Sequence, residues 1–168
     1  MSPEKGVDGV IEVVELSDAE LYEKHADELT RFATVLVGPS DAPDVVSGAV
    51  LNCLSSAGWR TASNRRAYLY RAVLNEARST RRSSARRRVR EKAVNGPREM
   101  TNTGESSAEI FKAVNRLSVR QRAVVVLTYW SDLDPASIAT LLGIGEGSVR
   151  RHLARARAHL REYLNEAV

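Results

Sequence analysis

The tail of the chain constrains the fold most. Its apolar residues are Val149, Leu153, Ala156, Leu160 and Leu164, spaced 4, 3, 4 and 4. That is the period of a helix with one buried stripe, where a strand would alternate. The opposite side carries Arg150, Arg151, Arg155, Arg157 and Arg161. Upstream, Asp134-Pro135 starts a short helix. The carboxylate accepts from a free first-turn N–H, and proline loses nothing at the first position. Ile138, Leu141 and Leu142 make its apolar face, Gly143 ends it and Ile144 plugs the turn. The second helix starts near Gly145-Glu146. This order predicts a DNA-reading helix-turn-helix. Glu146, Ser148, Arg150, Arg151 and His152 are expected to face base edges, with Arg155 and Arg157 on phosphates. The bland alternative is a pair of helices with a solvated basic face.

The same period runs through the rest of the chain. Leu29, Phe32, Ala33 and Leu36 share a face in a first helix, which Gly38-Pro39-Ser40 ends. A second helix restarts at Asp41 to Asp44, with Val46, Val50, Cys53 and Leu54 as its stripe. Residues 58–64 read as a polar loop. A long helix from about Arg66 buries Leu69, Ala72, Val73 and Ala77 and turns Arg71, Asn75, Arg78 and Arg82 outward. Asn115 to Trp130 reads as one scaffold helix with Leu117, Val124, Val125 and Leu127 inside, and Tyr129 and Trp130 as core residues. Residues 93–107 include Asn95-Gly96-Pro97 and Thr101-Asn102-Thr103-Gly104, the composition of a linker. The expectation is an all-α chain of two small helical domains, 17–92 and 108–168, on a flexible linker. Residues 1–16 form an acidic leader, read as disordered or regulatory. Each domain is small enough to have a thin core.

Charge is unevenly placed. Residues 1–64 hold 4 Lys/Arg against 11 Asp/Glu, whereas residues 65–92 hold 11 against 2. Clustered arginine suits a polyanionic partner, or is a solvated helix end. Other chemistry is thinly supported. The three histidines, His25, His152 and His159, are scattered, so no metal site is expected. No phosphate-binding glycine loop, nucleophile elbow or paired-carboxylate motif is found, so neither an enzyme nor a cofactor is expected. One cysteine, Cys53, excludes an intrachain disulfide. No apolar run approaches the ~18 residues of a membrane span, and residues 1–10 do not read as a signal peptide. These features predict a cytoplasmic chain.

The sequence resembles the extracytoplasmic-function class of bacterial sigma factors over both halves. Leu117-Ser118-Val119-Arg120-Gln121-Arg122 is similar to the family's L-P-x-R-Q-R. Ile138 to Ile144 followed by Gly147-Ser148-Val149 resembles I-A-x-x-L-G-I-S-x-G-T-V, and Leu153 to Leu160 resembles L-x-R-A-R-x-x-L. Asp41-Ala42-Pro43-Asp44-Val45-Val46 resembles D-A-E-D-L-V. Tyr68-Leu69-Tyr70-Arg71 with Asn75, then Arg81-Arg82, resembles W-L-Y-R-x-x-x-N and its basic continuation.

The resemblance implies a protein that binds core RNA polymerase, at the β′ clamp and β flap, and directs it to promoter DNA. The C-terminal domain would read the −35 element as duplex. The N-terminal domain would melt and trap the −10 element through the loop from Thr61 and through Asn64, Arg65, Tyr68, Arg71, Asn75, Arg78, Arg81 and Arg82. Arg86 to Arg88 would grip phosphates. A pocket for an extruded base and cations along the strand suit that task. An anti-sigma factor is a further partner the family allows.

The polymerase contact falls on the second helix, at Asp41, Asp44 and Asn52. There the chain departs from the family: Ser47-Gly48 stands where a glutamine and an acidic residue are usual. Gly145 likewise replaces the usual serine before the recognition helix. Two other classes compete with this reading. One is a free-standing helix-turn-helix regulator with an N-terminal sensing or dimerisation domain. The other is a peripheral protein whose arginine run meets anionic lipid.

Overall fold

A computed structural model of the chain describes residues 16–92 and 112–166, with the side chains of 87–92, Leu164 and Glu166 left out. Residues 1–15 of the expected leader 1–16, the linker 93–107 and the phosphate roles expected of Arg87 and Arg88 therefore lie outside the described residues. Every regular element described is helical. The elements are α1 (Asp18–Val37), α2 (Ala42–Leu54), α3 (Ala57–Arg60), α4 (Arg65–Lys92), α5 (residues 112–116), α6 (Val119–Tyr129), α7 (Pro135–Leu142) and α8 (Glu146–Glu166).

Local chemistry sets the boundaries. Ser17 caps α1 in a reciprocal box with Glu20: the Glu20 N–H donates to the serine hydroxyl, and the Ser17 N–H donates to the Glu20 carboxylate at 2.9 Å. Gly38 ends α1 at φ +97°, where its N–H donates to the Thr34 carbonyl. Leu29, Phe32, Ala33 and Leu36 are its buried stripe, as the spacing predicts. In α2 the buried residues are Ala42, Val45, Val46, Ala49 and Cys53, while Leu54 is exposed, against expectation. Its stripe lies one position N-terminal because α2 packs on both α1 and α4.

Two further expectations are corrected. The loop at 58–64 holds the short helix α3, capped by the Ser56 hydroxyl and pinned by Trp59, which is 3% exposed. The expected single helix from Asn115 to Trp130 breaks at Leu117-Ser118. Ser118 caps α6 in a second box with Gln121, which ends α5 and starts a new axis.

The two halves do not stand apart. α1, α2 and α4 form one bundle; α6, α7 and α8 form another. α6 lies across α1 and α7 across α4, so one apolar cluster runs from Leu29 and Phe32 through Leu127 to Ile138 and Val149. Merging two thin cores buries more apolar surface than either keeps alone.

Candidate nucleic-acid interface

α7 and α8 form the predicted helix-turn-helix. The Asp134 carboxylate accepts from the N–H groups of Ala136 (2.8 Å) and Ser137 (2.9 Å). Those bonds, Ser137 foremost, hold its carboxyl below the usual carboxylate range. Gly143 takes φ +66°, the left-handed conformation the turn needs. Val149 and Ala156 are fully buried, and Leu153 and Leu160 half-buried, on the inner side of α8.

The outer side carries Glu146, Arg150, Arg151, Arg155 and Arg157, all exposed, with Ser148 and His152 half-buried. The structure thus brings all seven predicted recognition residues onto the first three turns of one helix. Arg150 is paired with Glu146 at 3.1 Å, a solvent-exposed pair that a phosphate or guanine edge can displace. Arg157 donates through Nε to the Tyr129 hydroxyl at 2.7 Å and lies 5.6 Å from its ring centre. Tyr129 and Trp130, expected in the core, are 60% and 85% exposed. Tyr129 is the last residue of α6 and Trp130 its C-cap, where the chain leaves the bundle.

The second surface lies on α3 and α4. A crevice of about 420 Å³ opens between α2 and α4, lined by Asn52, Ser56, Tyr68, Arg71, Asn75 and Glu76 among others. Tyr68 is half-buried, 2.7 Å from the Ser56 hydroxyl and edge-on to Trp59 at 5.8 Å between ring centres. Tyr70 is the core tyrosine of the pair, packed on Phe32 at 4.9 Å. Burial pushes its hydroxyl up to about 12.

Other predicted residues are engaged locally. Asn64 caps α4 by accepting from the Ala67 N–H at 2.8 Å. Arg65 pairs with Asp18 at 3.2 Å and lies over Trp59. Asn75 and Arg82 are exposed. Arg78 is half-buried, and burial together with Arg120 and Arg82 lowers its pKa. Arg81 departs from the rest: it turns toward the C-terminal half and donates to the Asn115 carbonyl at 3.4 Å.

On α2, Asp41, Asp44 and Asn52 are exposed. Gly48 has the Glu76 carboxyl carbon of α4 standing 3.4 Å from where a Cβ would sit. Asn52 donates to that carboxylate at 3.3 Å. A carboxylate from a different helix thus occupies the face where the sequence lacks one. Sequence reasoning missed it because no spacing rule links 48 to 76.

It also missed a bidentate pair between Arg66 and Glu28, both bonds 2.9 Å. Burial works against the Glu28 carboxylate, but Arg66 and His25 outweigh it and hold its pKa low. Among the described residues, no group of His, Cys, Asp and Glu is placed to hold a metal ion.

The family described as Sigma-70, region 4 matches residues 107–160, which take in α5, α6, α7 and α8 as far as Leu160. Over most of the chain, the ECF RNA polymerase sigma factor SigM of Mycobacterium tuberculosis is 32% identical over 155 residues. The match spans 89% of this chain and 79% of that protein. The chain belongs to the ECF sigma factors. A second relative of this sigma factor, the RNA polymerase sigma-E factor of Streptomyces coelicolor, is 31% identical over 151 residues, 86% of this chain and 84% of its own. Among solved structures, the fold is similar to the sigma factor RpoE in complex with the anti-sigma factor NepR from Bartonella quintana. That likeness has a TM-score of 0.65 and 23% identity, covering 88% of this chain and 96% of the other. CnrH in complex with the cytosolic domain of CnrY follows at a TM-score of 0.59 and 23% identity, covering 90% and 89%. Both arginine-bearing surfaces described above lie within the matched length.

Proposed function

We propose that this ECF sigma factor joins core RNA polymerase and selects promoters in two steps on two surfaces. α8 reads the −35 element as duplex: Arg150 and Arg151 enter the major groove with Ser148 and His152, and Arg155 and Arg157 hold phosphates. The α3–α4 face captures the opened −10 strand. The crevice between Ser56, Tyr68 and Asn75 takes an extruded base, with Arg71, Arg78 and Arg82 along the backbone. Unstacking costs a few kcal/mol per base, so several contacts must share it. Asp41, Asp44, Asn52 and the carboxylate of Glu76 form the polymerase-facing side of α2. The protein acts as a non-catalytic factor in the cytoplasm. Among the described residues, no helix is long and apolar enough to cross a membrane. An anti-sigma protein is a fitting regulator, by analogy with the solved complex of RpoE with the anti-sigma factor NepR.

The observation that carries this reading is the outward display of Arg150, Arg151, Arg155 and Arg157 on a helix whose other side α7 holds in the core. A free-standing regulator is not favoured, because similarity to sigma factors extends through the N-terminal half as well. Run-off transcription with core polymerase over a promoter library tests it. RNA from a defined start is expected only when the chain is added; no start above core alone overturns the reading.

A further inference from the structure

The crevice between α2 and α4 holds a charge that is rare on its face. Residues 65–92 hold 11 Lys/Arg against 2 Asp/Glu, and those two are Glu76 and Glu91. Glu76 lines the crevice with Asn52, Cys53, Ser56, Tyr68 and Arg71. It is half-buried, and among the described residues no Lys, Arg or His pairs with it. A carboxylate repels a nucleic-acid backbone. On a strand-capturing face it costs affinity unless it meets something other than a phosphate.

Local packing fixes where this carboxylate stands. Gly48 leaves room for it on α2: the Glu76 carboxyl carbon and Oε1 lie 3.4 and 3.5 Å from where a Cβ would sit. Oε2 accepts from the Asn52 Nδ2 at 3.3 Å. Among the described residues Oε1 accepts no hydrogen bond, and neither does the Asn52 Oδ1. The hydroxyls of Ser56 and Tyr68 are 2.7 Å apart and engage each other. Arg71 is exposed and donates through Nε to the Ala67 carbonyl at 3.2 Å, so its two Nη groups remain for a phosphate. The Glu76–Asn52 wall therefore offers acceptors, and Arg71 offers donors.

Acceptors select donors. A carboxylate accepts and cannot donate. Cytosine and adenine carry an exocyclic amine on the edge that is freed when the base leaves the duplex, and guanine carries one beside a ring N–H. Thymine and uracil carry a single ring N–H between two carbonyl oxygens. Set against Glu76, such an edge brings a carbonyl oxygen up to a carboxylate, and neither can donate.

We infer that Glu76 is a specificity-determining residue of this crevice, which admits a base bearing an exocyclic amine and rejects thymine. The inference rests on the assignment of the α4 face to the opened strand. Arg71 supplies the attraction common to every nucleotide, and Glu76 the part that differs between bases.

The test uses the full chain without polymerase, so that no contact with core is in play. Oligodeoxycytidine and oligodeoxyuridine of about 12 nucleotides are titrated by anisotropy at neutral pH and fixed salt. The strands match in length, charge and ring size and differ at one base edge, an amine against a carbonyl. A homopolymer also presents the same base in every register. The parent is expected to bind the deoxycytidine strand about tenfold more tightly, the worth of one hydrogen bond to a charged group. Glu76→Gln, whose amide both donates and accepts, should bring the ratio to about one. Glu76→Lys, which only donates, should turn it in favour of deoxyuridine.

Partial loss of folded protein weakens both strands together, so the ratio still reads the crevice. If Glu76→Gln binds neither strand, Glu76→Lys decides. A parent that binds both strands equally, or a deoxycytidine preference that persists in the variants, refutes the selection. Arg71→Gln tests the underlying assignment separately, and is expected to weaken both strands alike. If it leaves both affinities as they were, the α4 face does not hold the strand, and that assignment falls instead.

Discussion

His152 is half-buried on α8, with Arg120 of α6 and its own neighbours Arg155 and Arg151 around it. Burial, then those cations, lower its pKa below 6.5. The unfolded chain therefore takes up a proton more readily than the folded one below about pH 6.5. Folding stability is expected to be complete above that value and to decline as pH falls through it. DNA phosphates have the opposite effect, because they favour the imidazolium. Duplex affinity should rise as pH falls over the same range. His152→Gln should flatten both slopes, checked by thermal melts and by anisotropy titrations from about pH 5 to 8. Arg150 and Arg151 reach solvent on the same turns. Replacing both with Ala is expected to abolish −35 discrimination, at roughly 1–3 kcal/mol per lost bidentate contact, while core polymerase binding persists. Competition between promoter duplexes, beside co-elution with core, reads the two effects separately.

The elements differ in how far their residues announce them. α7 is legible end to end, because each boundary is a local device: Asp134 accepts the first-turn N–H groups, and Gly143 takes the left-handed turn. The stripe of α1 is legible for the same reason, a fixed period on a segment closed by Gly38. α3 is not. Four residues are too few for a period, and what fixes them is Trp59, whose Nε1 donates to Asp18 at 2.9 Å across 41 residues of chain. Ser118 was present as a capping signal, but the apolar residues on either side of it continue one pattern and mask the break. In α2 the unusual Gly48 has a definite energetic consequence. A Cβ there would make ordinary contact with Glu76 at 3.4 Å and meets no backbone. Gly48→Ala is thus expected to stabilise the protein by up to about 1 kcal/mol in urea unfolding. A destabilised variant would show that Glu76 has no room to yield.

At the scale of the molecule, the sequence predicts two bodies on a tether, whereas the structure joins them through one apolar cluster. The halves were readable; their union was not. It depends on Leu36, Val126 and Arg122 meeting across chain separations that no periodicity records. The candidate site divides the same way. The recognition residues follow one helical period and are found together, whereas Arg81, assigned to the opened strand, is drawn away to Asn115 by the second half. A continuous cluster also sets the thermodynamics. The intact chain is expected to melt in one calorimetric transition with equal van't Hoff and calorimetric enthalpies. Val35→Glu, which puts a carboxylate into the groove between α1 and α6, is expected to split it into two.

The two tryptophans sit at opposite extremes, Trp59 at 3% exposure and Trp130 at 85%. Trp130 stands at the rim of the groove between α1 and α6. The protein therefore carries an optical gauge of its own: acrylamide should quench the outer indole and spare the inner one. A blue shift of the quenchable emission would then signal, without any dye, whatever settles into that groove.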